Sequence, residues 1–120
     1  MSLNHTLTRA NNPDSQQALE WRVFGLESAA QVRNGLEGAT AVLHTAGPFS
    51  ATSQPMADAC LRVGVHYVDI TGEIDVFEAL ATRDAESRAA GVMLLPGAGF
   101  DVVPSDCLAA HVKARLPTAT

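Results

Sequence analysis

Apolar residues along the chain follow two alternating patterns, which predict a repeated order of strand and helix. Short apolar runs of strand length occupy Ala41–Ala46, His66–Ile70 and Val92–Pro96. Between these runs, apolar residues recur at helical spacing from Ser53 to Val63 and from Ile74 to about Ala90. Parallel strands need a crossover long enough to hold a helix. The alternation therefore predicts right-handed βαβ units.

The flanking segments continue the same order. They are predicted to hold a strand at His5–Arg9, a helix at Pro13–Leu19, a strand at Glu20–Phe24, a helix between Ser28 and Gly38, and a last helix between Pro104 and Pro117. The last helix is expected to turn its apolar positions inward, and these are Leu108, Ala109, Val112 and Leu116. Five strand–helix repeats predict one α/β domain over residues 1–120, with a parallel sheet covered by helices.

Proline and glycine residues mark the expected ends of these elements. Pro55 is expected in the first turn of the central helix, where its missing N–H costs nothing. Gly64 and Gly91 are expected to end helices in the left-handed conformation. The run Val92–Pro96 is continuously apolar, which is typical of a strand buried on both faces of a parallel sheet.

Composition and charge exclude several classes of function. The net charge is −5 and the eight basic residues are scattered, which argues against nucleic-acid binding. No run of about 18 apolar residues occurs, so no membrane span is expected. Cys60 and Cys107 lie in predicted helices without a CxxC pattern, and the histidines lack metal-ligand spacing. Buried free thiols in a cytoplasmic protein without a metal are therefore the expectation.

The candidate chemistry lies where the predicted strands end, because ligands of open α/β sheets bind beyond the carboxyl ends of the strands. Ala46, Gly47, Pro48 and Phe49 follow one strand, and Thr71, Gly72 and Glu73 follow the next, with Asp69 expected on the same rim. Gly99, Phe100 and Asp101 follow the last strand.

Each of these segments also has a purely structural interpretation. Gly47-Pro48 is as well explained by a tight turn. Thr71 could simply cap a helix whose dipole Glu73 complements, although a pocket is slightly favoured there. Asp101 is equally compatible with a turn before the last helix. His44 is more typical of a hydrogen-bonded core residue than of a catalytic base.

Three separated motifs resemble the saccharopine dehydrogenase-like family, including its trans-acting enoyl reductase members. They are Ala46-Gly47-Pro48-Phe49, the segment from Ala59 to Glu73, and the segment from Pro96 to Asp106. The similarity covers roughly residues 10–117. It implies an NAD(P)-binding Rossmann-like domain, accompanied in the family by a substrate domain, and hydride transfer between the nicotinamide and a C=N, C=O or C=C bond.

The chain departs from this family in its first strand and phosphate loop. No GxGxxG pattern follows a strand, and Gly97-Ala98-Gly99 alone is weak evidence for a pyrophosphate turn. We therefore expect an incomplete Rossmann-like three-layer parallel sheet. The absent strand is central in the family, and its loss leaves a gap of about 10 Å. Its neighbours could pair directly, but the prediction is that the chain forms a homo-oligomer through the open sheet edge or by strand exchange.

The resemblance also implies which residues meet the cofactor and the substrate. On the cofactor side they are Arg9, Asn11, Ala46, Gly47, Pro48, Phe49, Thr71, Gly72 and Glu73, and on the substrate side they are Asp69, Gly99, Phe100 and Asp101. Asn11 stands where the family has an arginine for the 2′-phosphate of NADP, although Arg9 could substitute. Gly25 stands where the family tends to have an aspartate. NAD(P) binding by this chain alone is therefore expected to be weak or absent, and no catalytic residue is identified.

Three functions are compatible with these observations. The first is an incomplete part of an NAD(P)-dependent oxidoreductase that is inactive alone. The second is a non-catalytic dimeric or partner-binding α/β module. The third, a small flavodoxin-like ligand-binding domain, requires a phosphate loop that the sequence lacks.

Overall fold

The computed structural model describes residues 22–116 and residue 118. In that part of the chain three strands form one parallel sheet, in which they lie side by side in sequence order, and five helices accompany them. The elements are α1 (Ala29–Gly35), β1 (Ala41–His44), α2 (Phe49–Val63), β2 (His66–Asp69), α3 (Ile74–Ala81), α4 (Asp84–Ala90), β3 (Leu94–Leu95) and α5 (Val103–Arg115). The predicted α/β class is confirmed, and the arrangement is consistent with an incomplete Rossmann-like fold.

The strand register determines which side chains share a face of the sheet. Val42 pairs with Tyr67 and His44 with Asp69, and Leu94 pairs with Tyr67 on the other side of β2. Because successive residues of a strand point to opposite faces, these five side chains lie on one face. Tyr67 and Asp69 have no exposed surface. This face is the inner face of the sheet.

The core lies between this inner face and the apolar stripes of three helices. The contributing helical residues are Val32 and Leu36 around α1, Met56, Ala57, Ala59 and Cys60 in α2, and Val76 and Leu80 in α3. Val32, Ala57 and Cys60 are completely buried. The stripe predicted for the central helix is therefore confirmed, and burial of this stripe supplies the main stabilisation of the helix.

The central helix begins earlier than its pattern predicts. It starts at Phe49 rather than Ser53, so Pro55 lies inside the helix and not in its first turn. The reason is a tertiary cap, because the Glu73 carboxylate accepts hydrogen bonds from the first two helical N–H groups. The expected end is correct, since Gly64 caps the helix with a φ of 76°.

The long helix predicted from Ile74 to Ala90 is divided into α3 and α4, so the prediction of one continuous helix is wrong. The hydroxyl of Thr82 donates to the carbonyl of Ala79, 2.7 Å away, which competes with the helical backbone bonds. The next residue, Arg83, forms an ion pair with Asp58 of α2 at 2.6 Å. Gly91 ends α4 in the left-handed conformation, as expected.

The last strand and the last helix are less buried than predicted. β3 has only two residues, and Leu95 is 45% exposed, because its side chain points to the face of the sheet opposite the core, which the described residues leave exposed. None of the residues of α5 is buried. The inward orientation predicted for Leu108, Ala109, Val112 and Leu116 is therefore wrong within the described chain, where no other element covers this helix.

The N-terminal predictions are only partly open to comparison. The strand at His5–Arg9 and the helix at Pro13–Leu19 lie outside the described residues. Of the strand predicted at Glu20–Phe24, the described part is not a strand. Instead, Arg22 donates to carbonyl groups at the C-terminal end of α1, including that of Glu37 at 2.6 Å. Arg22 thereby holds this segment beside the helix.

The described residues include both cysteines and all the assigned helices, so the predictions for the thiols and for a membrane span can be compared with the structure. Both cysteines are free; Cys60 is buried as expected, but Cys107 is exposed on α5, where the prediction of burial is wrong. Burial raises the pKa of the Cys60 thiol to about 11. Within the described part, no helix is both long and apolar enough to cross a membrane.

We predict that one thiol per folded chain reacts quickly with a disulfide reagent such as DTNB. Cys107 is accessible, whereas Cys60 is buried and its elevated pKa keeps it protonated. Cys107→Ser should abolish the fast phase, and Cys60→Ser should leave it unchanged. Rapid reaction of two thiols in the absence of denaturant would contradict this packing.

Candidate functional site

The Glu73 carboxylate connects the segments that follow β1 and β2. One of its oxygens accepts a hydrogen bond from Phe49 N at 2.7 Å, and the other accepts one from Ser50 N at 2.8 Å. These are the first two residues of α2, whose N–H groups have no partner within the helix. Two of the three candidate segments expected from the sequence are thus joined directly, and we call this pair of hydrogen bonds the Glu73 clamp.

The position of Glu73 depends on the turn that precedes it. The hydroxyl oxygen of Thr71 accepts a hydrogen bond from Glu73 N at 3.0 Å, which fixes the backbone between β2 and α3. The two N–H groups of Phe49 and Ser50 hold the pKa of Glu73 below its usual value. Glu73 therefore complements the dipole of α2, rather than that of α3, the helix it precedes in sequence.

The turn after β1 is fixed by a chain of hydrogen bonds through Thr52 and His44. The Gly47–Pro48 peptide is cis, and the hydroxyl of Thr52 lies 2.5 Å from the carbonyl oxygen of Ala46. His44 Nε2 lies 3.0 Å from the same hydroxyl oxygen. Because the single hydroxyl hydrogen is given to a carbonyl, His44 acts as the donor in this pair.

The predicted role of His44 as a core residue is confirmed. It is only 3% exposed, and its ring contacts Phe49 edge-on with 5.5 Å between ring centroids. Burial lowers the pKa of His44, although the neighbouring charge of Asp69 acts in the opposite direction. A neutral imidazole that donates to Thr52 supports the turn and does not face solvent.

Asp69 connects the end of β2 to the loop after β3. One carboxylate oxygen accepts from Thr71 N at 3.0 Å and from Gly97 N at 2.8 Å, and the other accepts from the Tyr67 hydroxyl at 2.6 Å. Its backbone carbonyl accepts from Ala98 N at 2.8 Å. Asp69 was expected on the exposed rim, but it has no exposed surface and lies beneath the rim.

Tyr67 shares this buried network. Burial, and then the hydrogen bond to Asp69, raise the pKa of Tyr67 far above its usual range, so the phenol stays protonated and remains a donor. Tyr67 is not among the site residues predicted from the sequence. Tyr67 lies two residues before Asp69 in a predicted strand, so the sequence does indicate that the two side chains share a face. Thr52 was also missed, and no sequence pattern connects it with His44.

The loop after β3 approaches the end of β2 closely. A Cβ at Gly99 would lie 3.0 Å from the Cβ of Ile70, so only glycine fits without displacement. Gly97 has a φ of 74°, in the region that favours glycine. Beyond this point Phe100 is 84% exposed and Asp101 is also exposed. Both residues therefore lie at the surface, beside the carboxyl end of β2.

The turns that follow β1 and β2 border a crevice at the edge of the sheet. This crevice is a shallow surface made of backbone rather than an enclosed cavity. Ala46, Gly47, Pro48 and Gly72 are all exposed along it. Two cavities of about 360 and 280 Å³ lie elsewhere, around α1, and no candidate residue lines them. The described residues contain no cluster of His, Cys, Asp and Glu suited to a metal ion. Arg9 and Asn11 lie outside the described residues.

We predict that Asp69→Ala lowers the free energy of unfolding by about 3 kcal/mol, because buried N–H groups of Thr71 and Gly97 lose their acceptor. Tyr67→Phe removes a single hydrogen bond and should cost about 1 kcal/mol. Urea denaturation measures both effects, with Asp75→Ala on the exposed surface of α3 as the control. A loss at Asp69 no larger than that at Asp75 would contradict the network.

We also predict that Glu73→Gln lowers the stability at pH 7, and that the difference from the wild type shrinks on acidification. The pKa of Glu73 is lower in the folded chain than in the unfolded chain. Its contribution is therefore complete above about pH 4.5 and is lost as the pH falls through the folded-state pKa. Thermal unfolding measured over this range, with the exposed Glu78→Gln as control, provides the test. A difference that does not depend on pH would refute the charged clamp.

Comparison with known proteins gives a consistent set of relatives. A trans-acting enoyl reductase of Mycobacterium leprae (strain TN) is 36% identical over 69 residues, which cover 57% of this chain and 16% of that protein. A saccharopine dehydrogenase-like oxidoreductase of Rattus norvegicus is 35% identical over 85 residues, 70% of this chain and 20% of that protein. A trans-acting enoyl reductase of Mycobacterium ulcerans (strain Agy99) is 30% identical over 78 residues, which cover 64% of this chain and 19% of that protein.

The aligned stretch spans a fifth or less of the length of these three relatives. No protein-family model matches the chain, and no solved structure matches it. The resemblance expected from the three motifs is confirmed: the chain is homologous to proteins named saccharopine dehydrogenase-like oxidoreductase and trans-acting enoyl reductase.

Proposed function

We propose that the ends of β1 and β2 form the nicotinamide side of the cofactor site in an NAD(P)-dependent oxidoreductase of the saccharopine dehydrogenase-like kind. The homologues support an oxidoreductase and, generally, a nucleotide cofactor. The observation that carries the proposal is the Glu73 clamp, because it brings Phe49 and Glu73 together at the carboxyl edge of a parallel sheet. In this proposal, residues 1–120 are one partial NAD(P)-binding domain.

The exposed backbone suits the flat nicotinamide ring and its ribose. A Cβ at Gly72 would meet no atom within 4 Å, and one at Gly47 would meet only Phe49. A planar ligand can therefore approach the backbone of both turns. The cofactor-side residues proposed are Ala46, Gly47, Pro48, Phe49, Thr71, Gly72 and Glu73, with Gly99, Phe100 and Asp101 toward the substrate.

The same crevice does not suit a phosphate. The N-terminus of a helix can bind an anion through its free N–H groups and dipole. At α2, however, Glu73 occupies the N–H groups of Phe49 and Ser50. The pyrophosphate half of the site therefore needs other groups. Arg9 remains the candidate proposed for a 2′-phosphate, beside Asn11, which stands where the family has an arginine.

Each supporting residue has a separate task in this proposal. Glu73 orients the turns after β1 and β2. Asp69 is a positioning residue, because it is buried and fixes the loop after β3 without reaching the surface of the site. The nicotinamide supplies the hydride chemistry when it is bound, and the protein contributes orientation. We propose that this chain alone is catalytically inactive, because only the nicotinamide side is formed by its described residues.

A non-catalytic dimeric module is the second candidate. The outer edge of β1 pairs with no described strand, and an open edge is a template for pairing with another chain. Homo-oligomerisation through this edge belongs to this second candidate. We also propose a cytoplasmic location, because Cys60 and Cys107 are free thiols.

We predict that NADPH binds this chain weakly or not at all in a calorimetric or fluorescence titration, because the phosphate donors of α2 are occupied. Micromolar affinity would refute this expectation. Nicotinamide mononucleotide at millimolar concentration should still shift the NMR amide signals of Gly47, Phe49 and Gly72.

Gly72→Val should abolish these shifts, because the added side chain projects into the open crevice. Ala79→Val on the exposed surface of α3 serves as the matched control and should retain them. Absence of shifts in the wild type, or shifts confined to residues around α1, would overturn the proposed location of the site.

A further inference from the structure

The face of the sheet opposite the core is apolar and exposed. By the alternation of the strands, Leu43 of β1, Val68 of β2 and Leu95 of β3 point away from the inner face. Leu43 is 62% exposed and Leu95 is 45% exposed, and Ile70 and Met93 beside them are 44% and 46% exposed. These five residues form what we call the open sheet face. Sheets of parallel strands are normally covered on both faces.

A second exposed apolar surface lies on α5. Leu108, Val112 and Leu116 recur every four residues, so they lie on one side of the helix. They are 62%, 45% and 56% exposed. We call these three residues the α5 stripe. The chain thus presents a helix surface and a sheet surface of the kind that pack together in α/β proteins, and no described element covers either of them.

α5 follows a loop that is anchored to the end of β2. Asp69 holds Gly97 N and Ala98 N, and Gly99 packs tightly against Ile70. α5 begins four residues after Gly99, and none of its side chains is buried. In this structure the α5 stripe therefore does not pack on the sheet of its own chain.

We propose that the chain forms a symmetric dimer in which the α5 stripe of each copy packs on the open sheet face of the other. A two-fold axis satisfies both surfaces of both copies at once, whereas a head-to-tail contact leaves unpaired surfaces at the ends. The proposal is independent of the proposed cofactor site, because it uses none of the cofactor-side or substrate-side residues.

The size and chemistry of the two surfaces favour a second copy as the occupant. The seven half-exposed side chains together with partly buried Val68 offer on the order of 600 Å² per copy, so the dimer buries roughly 1,200 Å², at the lower limit for stable interfaces. None of these side chains is charged. The two surfaces therefore offer no charged group to a partner such as an acidic peptide or a nucleic acid. The apolar stripe of an identical chain, in contrast, matches the apolar sheet face.

Sedimentation and light scattering of the full chain test the proposal. The wild type should have twice the chain mass of 12.6 kDa. The double variant Leu108→Lys/Val112→Lys should be a monomer, and so should Leu43→Lys on the open sheet face. Ala110→Lys/Ala114→Lys places the same charges on the opposite side of α5 and should remain a dimer. Circular dichroism checks that each variant keeps its helical content.

Mixing the two monomeric variants provides a test specific to reciprocal exchange. The Leu43→Lys chain retains an intact α5 stripe, and the Leu108→Lys/Val112→Lys chain retains an intact open sheet face. Their mixture keeps one of the two contacts, so it should associate more weakly than the wild type but more strongly than either variant alone. A wild-type monomer, an open-ended series of oligomers, a dimer insensitive to the stripe variant, or a mixture that associates no more strongly than either variant alone would each overturn the proposal. Persistence of the dimer in the stripe variant would instead favour pairing along the β1 edge.

Discussion

The buried carboxylate of Asp69 is the interaction on which the rest of this structure depends. Burial of a carboxylate is unfavourable unless hydrogen bonds replace its hydration. Here the Tyr67 hydroxyl and the N–H groups of Thr71 and Gly97 replace it. Two of these donors belong to loops that follow different strands. The need to satisfy one buried charge therefore fixes the relative positions of β2, the Thr71 turn and the loop after β3.

The Glu73 clamp builds on that arrangement. Because the Thr71 turn is fixed from below, Glu73 lies close enough to reach Phe49 N and Ser50 N across the sheet edge. Its charge replaces the anion that the N-terminus of α2 would otherwise favour. The same hydrogen bonds that join the two turns therefore occupy the N–H groups that a phosphate would need at this helix. For this reason we proposed the site for the nicotinamide end of a cofactor rather than for its phosphates.

Much of the fold could be predicted from periodicity, because burial of one stripe or one face leaves a regular pattern. β1, β2 and the ends of α2 and α4 at Gly64 and Gly91 follow from it directly. The early start of α2 could not be predicted, because its cap is Glu73, a residue distant in sequence. The break at Thr82 depends on an ion pair to another helix. The exposure of α5 depends on which surfaces surround it, and a helical pattern specifies only that one side is apolar.

The candidate site was predictable to a similar extent. The rule that ligands bind beyond the strand ends located the segments around Gly47 and Gly72, and the structure joins these two segments. The same rule placed Asp69 on the rim, although its position in the strand puts its side chain on the inner face beside Tyr67. Thr52 has no signal in the sequence, because its contact with His44 exists only after α2 has packed.

Hydrogen exchange of the backbone amides tests most directly whether a buried carboxylate organises the strand ends. Gly97 and Thr71 lie in loops, so their amides are protected only if Asp69 accepts their hydrogen bonds. Both amides are expected to exchange as slowly as the amides of β2, and both should become fast in Asp69→Ala. Exchange at the rate of the exposed Gly72 amide in the wild-type protein would contradict it.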